Sequence, residues 1–291
     1  MSEAQSIQWF PGHMARAKKQ IEKSLKQVDA VAEIADARIP VSSRNPILEH
    51  IIQGKPRIIL LNKRDMADPT ATKQWVSFYQ QKNIEAVDID CKSGKGLGAF
   101  QPAVRKVLAP QIASWKQKGM TGRTIRVMVI GIPNVGKSSF INRLSHGSHA
   151  AVENRPGVTR SNQWFSIGKG FDLLDTPGVL WPKIEDKMVG EHLAFTGAVK
   201  DDILDLEDLA SRLLELLCRL YPNAVRSRYK LGETDFSGME DWQILQLVGK
   251  KRGMLVSGGE IDTERTSKML LDEFRAGKIG RITLEQAGGV Q

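Results

Sequence analysis

The chain has 291 residues, 41% of them hydrophobic, with 42 lysines and arginines against 33 aspartates and glutamates, for a net charge of +9. That length allows about two domains and a sizeable core, and no stretch approaches the eighteen apolar residues a membrane span needs. Cys91 and Cys218 are too few and too scattered for a disulfide framework or a zinc site, and no signal-like apolar core opens the chain, so a cytoplasmic location is expected.

In chain order, Trp9-Phe10-Pro11-Gly12-His13-Met14 is followed by a basic run, Arg16, Lys18, Lys19, Lys23 and Lys26. The run fits contact with RNA phosphates and equally the solvated face of a helix. Ile58-Ile59-Leu60-Leu61 predicts a buried parallel strand ending at Asn62-Lys63-Arg64-Asp65, at the carboxyl edge where open α/β sheets bind ligands. The Asp65 carboxylate can accept from guanine N1–H and the exocyclic amine, two donors that adenine lacks. Asn62 would support the loop and the purine edge, and the Lys63 stem would lie over the base plane. A second base-side loop is expected at Cys91-Lys92-Ser93-Gly94, after the strand-like Ala86-Val87-Asp88-Ile89-Asp90, with backbone amides rather than side chains meeting the base. The stretch from Gln117 to Arg123 predicts a linker.

Arg126 to Ile130 is a short apolar run rich in β-branched residues, the mark of a buried strand, and Ser138 onward has helical spacing. Between them, Gly131-Ile132-Pro133-Asn134-Val135-Gly136-Lys137-Ser138 fits G-x-x-x-x-G-K-[ST]. Its glycines let the amides from Asn134 and Val135 through Gly136 to Ser139 curl around phosphates, Lys137 reaches the β/γ oxygens, and the Ser138 hydroxyl ligates Mg²⁺. In Arg155-Pro156-Gly157-Val158-Thr159-Arg160, Thr159 could close over Mg²⁺ when GTP is bound; the same residues also suit a plain surface loop. Phe171-Asp172-Leu173-Leu174 predicts a strand delivering Asp175-Thr176-Pro177-Gly178. Asp175 is the natural second Mg²⁺ anchor, usually through water, and Gly178 has no side chain to shield its amide from the γ-phosphate. Together these motifs form a guanine-nucleotide site, with Lys137, Thr159 and Gly178 at the reacting phosphate.

Beyond Pro182, helical apolar spacing at Leu204–Tyr221, Trp242–Lys251 and Arg265–Phe274 predicts an all-helical domain, dividing the chain into a GTPase domain at 1–182 and a helical domain at 183–291. The basic excess lies in the first part: residues 1–190 hold 28 lysines and arginines against 16 acids, and residues 191–291 hold 14 against 17. In the helical part only Arg226/Arg228/Lys230 and Lys250/Lys251/Arg252 form basic clusters. A net positive chain favours a polyanionic partner.

Base-reading motifs that precede the phosphate loop are the order of a circularly permuted GTPase. With Trp9-Phe10-Pro11-Gly12-His13-Met14, Asp36-Ala37-Arg38-Ile39-Pro40 and Asp175-Thr176-Pro177-Gly178-Val179-Leu180-Trp181-Pro182, nearly the whole chain resembles the YlqF/RbgA family. The resemblance implies an α/β P-loop fold with a carboxy-terminal helical domain, and GTP hydrolysis late in assembly of the bacterial large ribosomal subunit. It also implies binding of ribosomal RNA and the pre-ribosomal particle; a monomer is the working expectation. A regulatory GTPase acting on another RNA or RNA-modifying enzyme is the competing reading, and a scaffold that nucleotide merely stabilises is a third. Where many GTPases place a water-orienting glutamine after the Asp-x-x-Gly turn, this chain has Val179 and Leu180. The resemblance points to His13 as the substitute; packing of the amino-terminal segment is its other reading. Asn134 resembles the asparagine of potassium-activated GTPases, and also suits a loop-stabilising amide.

Asp65→Asn is expected to weaken GTP binding strongly and shift preference toward xanthosine triphosphate, whose carbonyl accepts from the new amide. Calorimetry that finds GTP affinity unchanged would remove Asp65 from the site.

Overall fold

The structure, a computed structural model, describes residues 11–145, 163–181, 183–201 and 204–288, with side chains from residue 18 onward. Its centre is a six-stranded sheet of β1 (Ala30–Asp36), β2 (Arg57–Asn62), β3 (Glu85–Asp88), β4 (Ile125–Ile130), β5 (Gln163–Ser166) and β6 (Phe171–Asp175), in the order β3-β2-β1-β4-β6-β5. All neighbours are parallel except β5, which runs antiparallel to β6 at one edge. The inner strands are covered on both faces, so β1 and β2 read as near-continuous apolar runs without alternation.

On one face, α4 (Phe100–Val107) and α6 (Lys137–Leu144) bury Phe100, Val104, Phe140 and Ile141 against Ile58, Leu60, Val127 and Leu173. On the other, α1 (Pro11–Leu25) and α2 (Pro46–Ile51) pack Ile21, Leu25 and Leu48 on Val31, Met128 and Leu174. There α3 (Pro69–Gln81) sets Trp75 and Tyr79 over Ile59 and Leu61. The predicted linker begins at the last residue of α5 (Ala109–Gln117) and continues as a turn in which Gly119 and Gly122 take φ of 74° and 76°. Strand β3 stops at Asp88, two residues before the predicted end, because Asp90 turns into the following loop and its carboxylate accepts from the Lys92 amide.

The second half is helical: α7 (Lys187–Phe195), α8 (Leu206–Leu220), α9 (Pro222–Tyr229), α10 (Asp241–Lys251) and α11 (Thr263–Arg275). Helices α8, α10 and α11 lie where the periodicity predicts them, joined through Leu213, Leu217, Val248, Leu270 and Phe274. The N-cap carboxylates of Asp186 and Asp205 accept from two amides each and fix the starts of α7 and α8. Helix α9 goes unforeseen because it buries only Val225 and Tyr229, too little to register as a stripe. Of the two basic clusters here, Arg228 and Arg252 both pair with Glu273, so part of that charge serves the helix packing instead of facing outward.

The chain end leaves the helices and runs back along the sheet half. The Ile282 amide donates to Met66 O (2.8 Å), the Leu284 amide to Arg38 O (2.8 Å), and Trp75 Nε1–H to Glu285 O (2.9 Å). Beside it Arg38, 1% exposed, makes a two-pronged pair with Asp36 (3.0 and 2.7 Å) and donates to Phe274 O at the end of α11 (3.2 Å). Burial alone would raise the Asp36 carboxyl, but the Arg38 guanidinium and the Lys63 ammonium hold it well below the usual carboxylate range. Arg38→Ala removes one partner of a buried pair and is expected to cost about 3–5 kcal/mol. Urea unfolding should show a lowered midpoint; a midpoint equal to the parent's would contradict the assignment.

Candidate functional site

Three loops meet at the carboxyl edge of the sheet, and one buried side chain joins two of them. Asn62 ends β2; its Nδ2–H donates to Val135 O in the phosphate loop (2.7 Å), and its Oδ1 accepts from the Cys91 amide in the base-side loop (3.1 Å). Lys63 follows with φ of 63°, and its ammonium lies 2.9 Å from Asp36. Desolvation lowers the Lys63 pKa against the pull of Asp36. Asp65 stands exposed at the end of this turn.

Around the base-side loop, the Ser93 hydroxyl donates to the Asp90 carboxylate and the Gly94 amide to Asp90 O (2.8 Å). Burial raises the Asp90 pKa less than the Ser93 hydroxyl and the Lys92 and Ser93 amides lower it. Arg143, on the last turn of α6, donates to Ser93 O (3.0 Å), tying this loop to the phosphate-loop helix. The Cys91 thiol is buried and pushed up to about 12, so it is inert, and its amide is spent on Asn62. Lys92 and Ser93 remain at the exposed lip.

The phosphate loop turns from β4 into α6 through left-handed backbone at Asn134 (φ 62°) and Gly136 (φ 101°). A Cβ on Gly136 would collide with Asn62 Nδ2, so the glycine is what lets the two loops close. Lys137 opens α6 and folds over its own loop, donating to Ile132 O (2.9 Å). Ser138 and Ser139 follow, half-buried, on the first turn, where helix amides and dipole favour an anion. Asn134 Nδ2–H donates to Gly197 O (2.6 Å), just past the end of α7, which leaves its carbonyl oxygen available.

From β6, Asp175 arrives 2% exposed beside Lys137, and Thr176 is anchored by its hydroxyl to Val129 O (2.7 Å). Gly178 packs tightly on the phosphate loop: an added Cβ would sit 2.7 Å from Lys137 Nζ and 3.1 Å from Pro133 N. The next residue is clamped on both sides, with the Val179 amide donating to Gly131 O (3.4 Å) and Asn45 Nδ2–H donating to Val179 O (2.8 Å). Val179 packs into the cluster formed by α1 and α2, and Leu180 is buried, so neither presents a polar group to a water. The His13 side chain and Thr159 with its loop lie outside the described residues; the backbone of His13 belongs to α1.

Sequence reading missed Asn45, Arg143 and Gly197, and found Asp36 and Arg38 only as part of a motif. Asn45-Pro46 carries an N-cap signal for α2, realised where Asn45 Oδ1 accepts from the Ile47 amide, but nothing in it announces Val179.

A family model described as 50S ribosome-binding GTPase matches residues 126–224, the span that starts with the phosphate-loop strand. A ribosome biogenesis GTPase A from Bacillus cereus is 45% identical over 96% of this chain and 93% of its own. The chain belongs to the ribosome biogenesis GTPase A family. A crystal structure of GNP-bound YlqF from T. maritima superposes with a TM-score of 0.66 at 29% identity, covering 94% of this chain and 99% of that one. A GDP-bound structure of that protein matches with the same score over 92% and 98%. The chain is therefore a guanine-nucleotide-binding GTP hydrolase with the permuted fold, mostly parallel in its sheet.

Burial lowers Lys137 to about 8, with Asp175 opposing the shift. Bound phosphates would raise it again, so GTP binding takes up a proton above about pH 8. Affinity is expected to hold below that pH and weaken as pH rises through and beyond it, whereas Lys137→Arg, always charged, should show no such decline. Calorimetry at pH 7 and 9 in buffers of differing ionisation enthalpy checks both the sign and the proton count.

Proposed function

We propose that this chain hydrolyses GTP to time its release from a late precursor of the large ribosomal subunit, through contacts with ribosomal RNA. The observation that carries the reading is the convergence of Asn62–Asp65, Gly131–Ser138 and Asp175–Gly178 at one sheet edge, the first two joined by the Asn62 amide and the last two by the Val179 amide. Asp65 selects guanine, and the amides from Asn134 to Ser139 hold the phosphates. Lys137 leaves Ile132 O for the β/γ oxygens.

The donors fit Mg²⁺. Among the described residues no cluster of three or more His, Cys, Asp or Glu forms a metal cage, whereas Mg²⁺ beside a triphosphate asks for only one or two protein oxygens. Ser138 and Asp175 supply them, with Thr159 as the third donor once GTP is bound. When present, the ion neutralises charge developing between the β- and γ-phosphates. The Gly178 amide, pinned through Val179 by Asn45 and Gly131, meets the γ-phosphate. Asn134, its amide nitrogen committed to Gly197, offers its oxygen to a monovalent cation such as K⁺.

In this reading residues 1–182 act as the GTPase domain and 183–291 as the domain whose placement follows the nucleotide. The place of action in this reading is the cytoplasm, with a monomer as the expected state. Among the described residues no helix is long and apolar enough to cross a membrane. Water orientation falls to His13 in this reading, since Val179 and Leu180, which stand where a water-orienting glutamine would, carry no polar side chain. Co-sedimentation with large-subunit precursors, dependent on a non-hydrolysable GTP analogue, tests the proposal, and absence of binding in every nucleotide state overturns it. His13→Ala should keep nucleotide and particle binding yet lose particle-stimulated single-turnover hydrolysis by roughly 10²-fold, the scale of a positioned acid/base group. Stimulated rates equal to the parent's would return His13 to a packing role.

A further inference from the structure

After Asp90 the next acidic residue is Glu153, and the 62 positions between them hold ten lysines and arginines. At the chain's average of 33 acids in 291 residues, about seven would fall there. Four of the ten bases serve the nucleotide edge. The other six, Arg105, Lys106, Lys116, Lys118, Arg123 and Arg126, are carried by α4, α5, the following turn and the start of β4 to the opposite edge of the sheet.

Two of the six are neutralised, Lys106 by Glu85 and Arg123 by Asp29. Arg105, Lys116, Lys118 and Arg126 are exposed and have no ion pair among the described residues. Aromatic rings lie among them. Arg123 stands 4.0 Å from the Trp115 ring centre, and Arg126 stands 5.3 Å from that of Trp164. Arg105 stands 4.8 Å from Phe171 and donates to Lys169 O (3.1 Å) in the turn between β5 and β6, which adds a further exposed lysine. Trp164 is 42% exposed on β5, the edge strand, where an uncovered large aromatic is a liability unless something stacks on it.

We propose that this rim, from Arg105 and Lys116 across Arg126 to Trp164, binds a single-stranded segment of RNA, with a base stacked on Trp164 and phosphates on the unpaired cations. Cations interleaved with aromatic faces suit a strand whose bases are unstacked; a duplex offers phosphates without base faces. An acidic protein surface would use the cations and leave Trp164 without purpose. Its cations lie at the end of the sheet opposite the phosphate loop, whereas Trp164 pairs with Leu174, the residue before Asp175, so GTP affinity is read alongside RNA affinity. The proposal rests on the reading of the chain as an RNA-contacting assembly factor and assigns it a contact face.

The test is fluorescence anisotropy with a labelled, hairpin-free single-stranded RNA of about twelve nucleotides, within the site sizes of such grooves. The triple variant Arg105→Gln/Lys116→Gln/Arg126→Gln should bind more than tenfold more weakly near ~100 mM salt and flatten the log–log salt slope by about 2, at about 0.7 per lost phosphate contact. Trp164→Ala should lose about tenfold and Trp164→Phe should stay near the parent, with GTP affinity and circular dichroism unchanged in all variants. A triple variant with the parent's affinity and slope overturns the proposal. Parent-like RNA binding by Trp164→Ala removes the stacked base, and loss of particle co-sedimentation with RNA affinity intact would assign the rim to a protein. Failure of the parent to co-sediment sinks the assembly role alone, since the anisotropy does not depend on it.

Discussion

The amide of Asn62 is the interaction on which the nucleotide site depends. The loops that it joins leave β3 and β4, strands separated in the sheet by β2 and β1, so no ladder hydrogen bond can set their spacing. A single side chain with one donor and one acceptor, 3% exposed, does so. Aspartate could not donate to Val135 O, and leucine could do neither; either would leave a buried backbone group unsatisfied, at about 1–3 kcal/mol each. Gly136 is the matching concession, giving up its side chain so that Asn62 can approach.

From that clasp, two lines of polar contacts lead to the same place in the helical half. On the base side, Lys63 pairs with Asp36, Asp36 with Arg38, and Arg38 donates to Phe274 O and Arg275 O at the carboxyl end of α11. On the phosphate side, Asn134 donates to Gly197 O beyond α7, and Arg275 holds that end of α7 through Ala194 O and Phe195 O while pairing with Asp201. The carbonyls at a helix end are unsatisfied by the helix itself, which is why arginines gather there. The last turn of α11 is thus linked to both halves of the site, through Arg38 on one side and through the end of α7 on the other.

Permutation shortens the third connection. Asp186, which caps α7, comes eight residues after Gly178, so the turn that meets the γ-phosphate and the first helix of the second half are joined by a short covalent link. The chain then crosses back at its end, where Glu285 accepts from the Val41 and Ser42 amides and contacts His192 of α7 at 3.0 Å. The helical half is held at both of its ends, and a shift at Gly178 acts on a body already fastened beside the base-reading loop.

Sequence alone determined the parts whose chemistry is local. A strand, a glycine turn and a helix in succession dictate a phosphate cradle, Asn-Lys-x-Asp after an apolar run dictates a base-reading corner, and their reversed order dictates permutation. Helices α8, α10 and α11 were legible because each buries a periodic stripe; α9, with two buried side chains, was not. The tertiary structure decided what long-range hydrogen bonds decide. That Asn45 would clamp Val179, that Gly197 would orient Asn134, and that residues 282–285 would return to Met66 and Arg38 are pairings across large chain separations, set by packing that no periodicity encodes. Charge divides the same way: its excess in the first half is a count, but which cations face outward depends on whether the fold brings Glu85, Asp29 or Glu273 beside them.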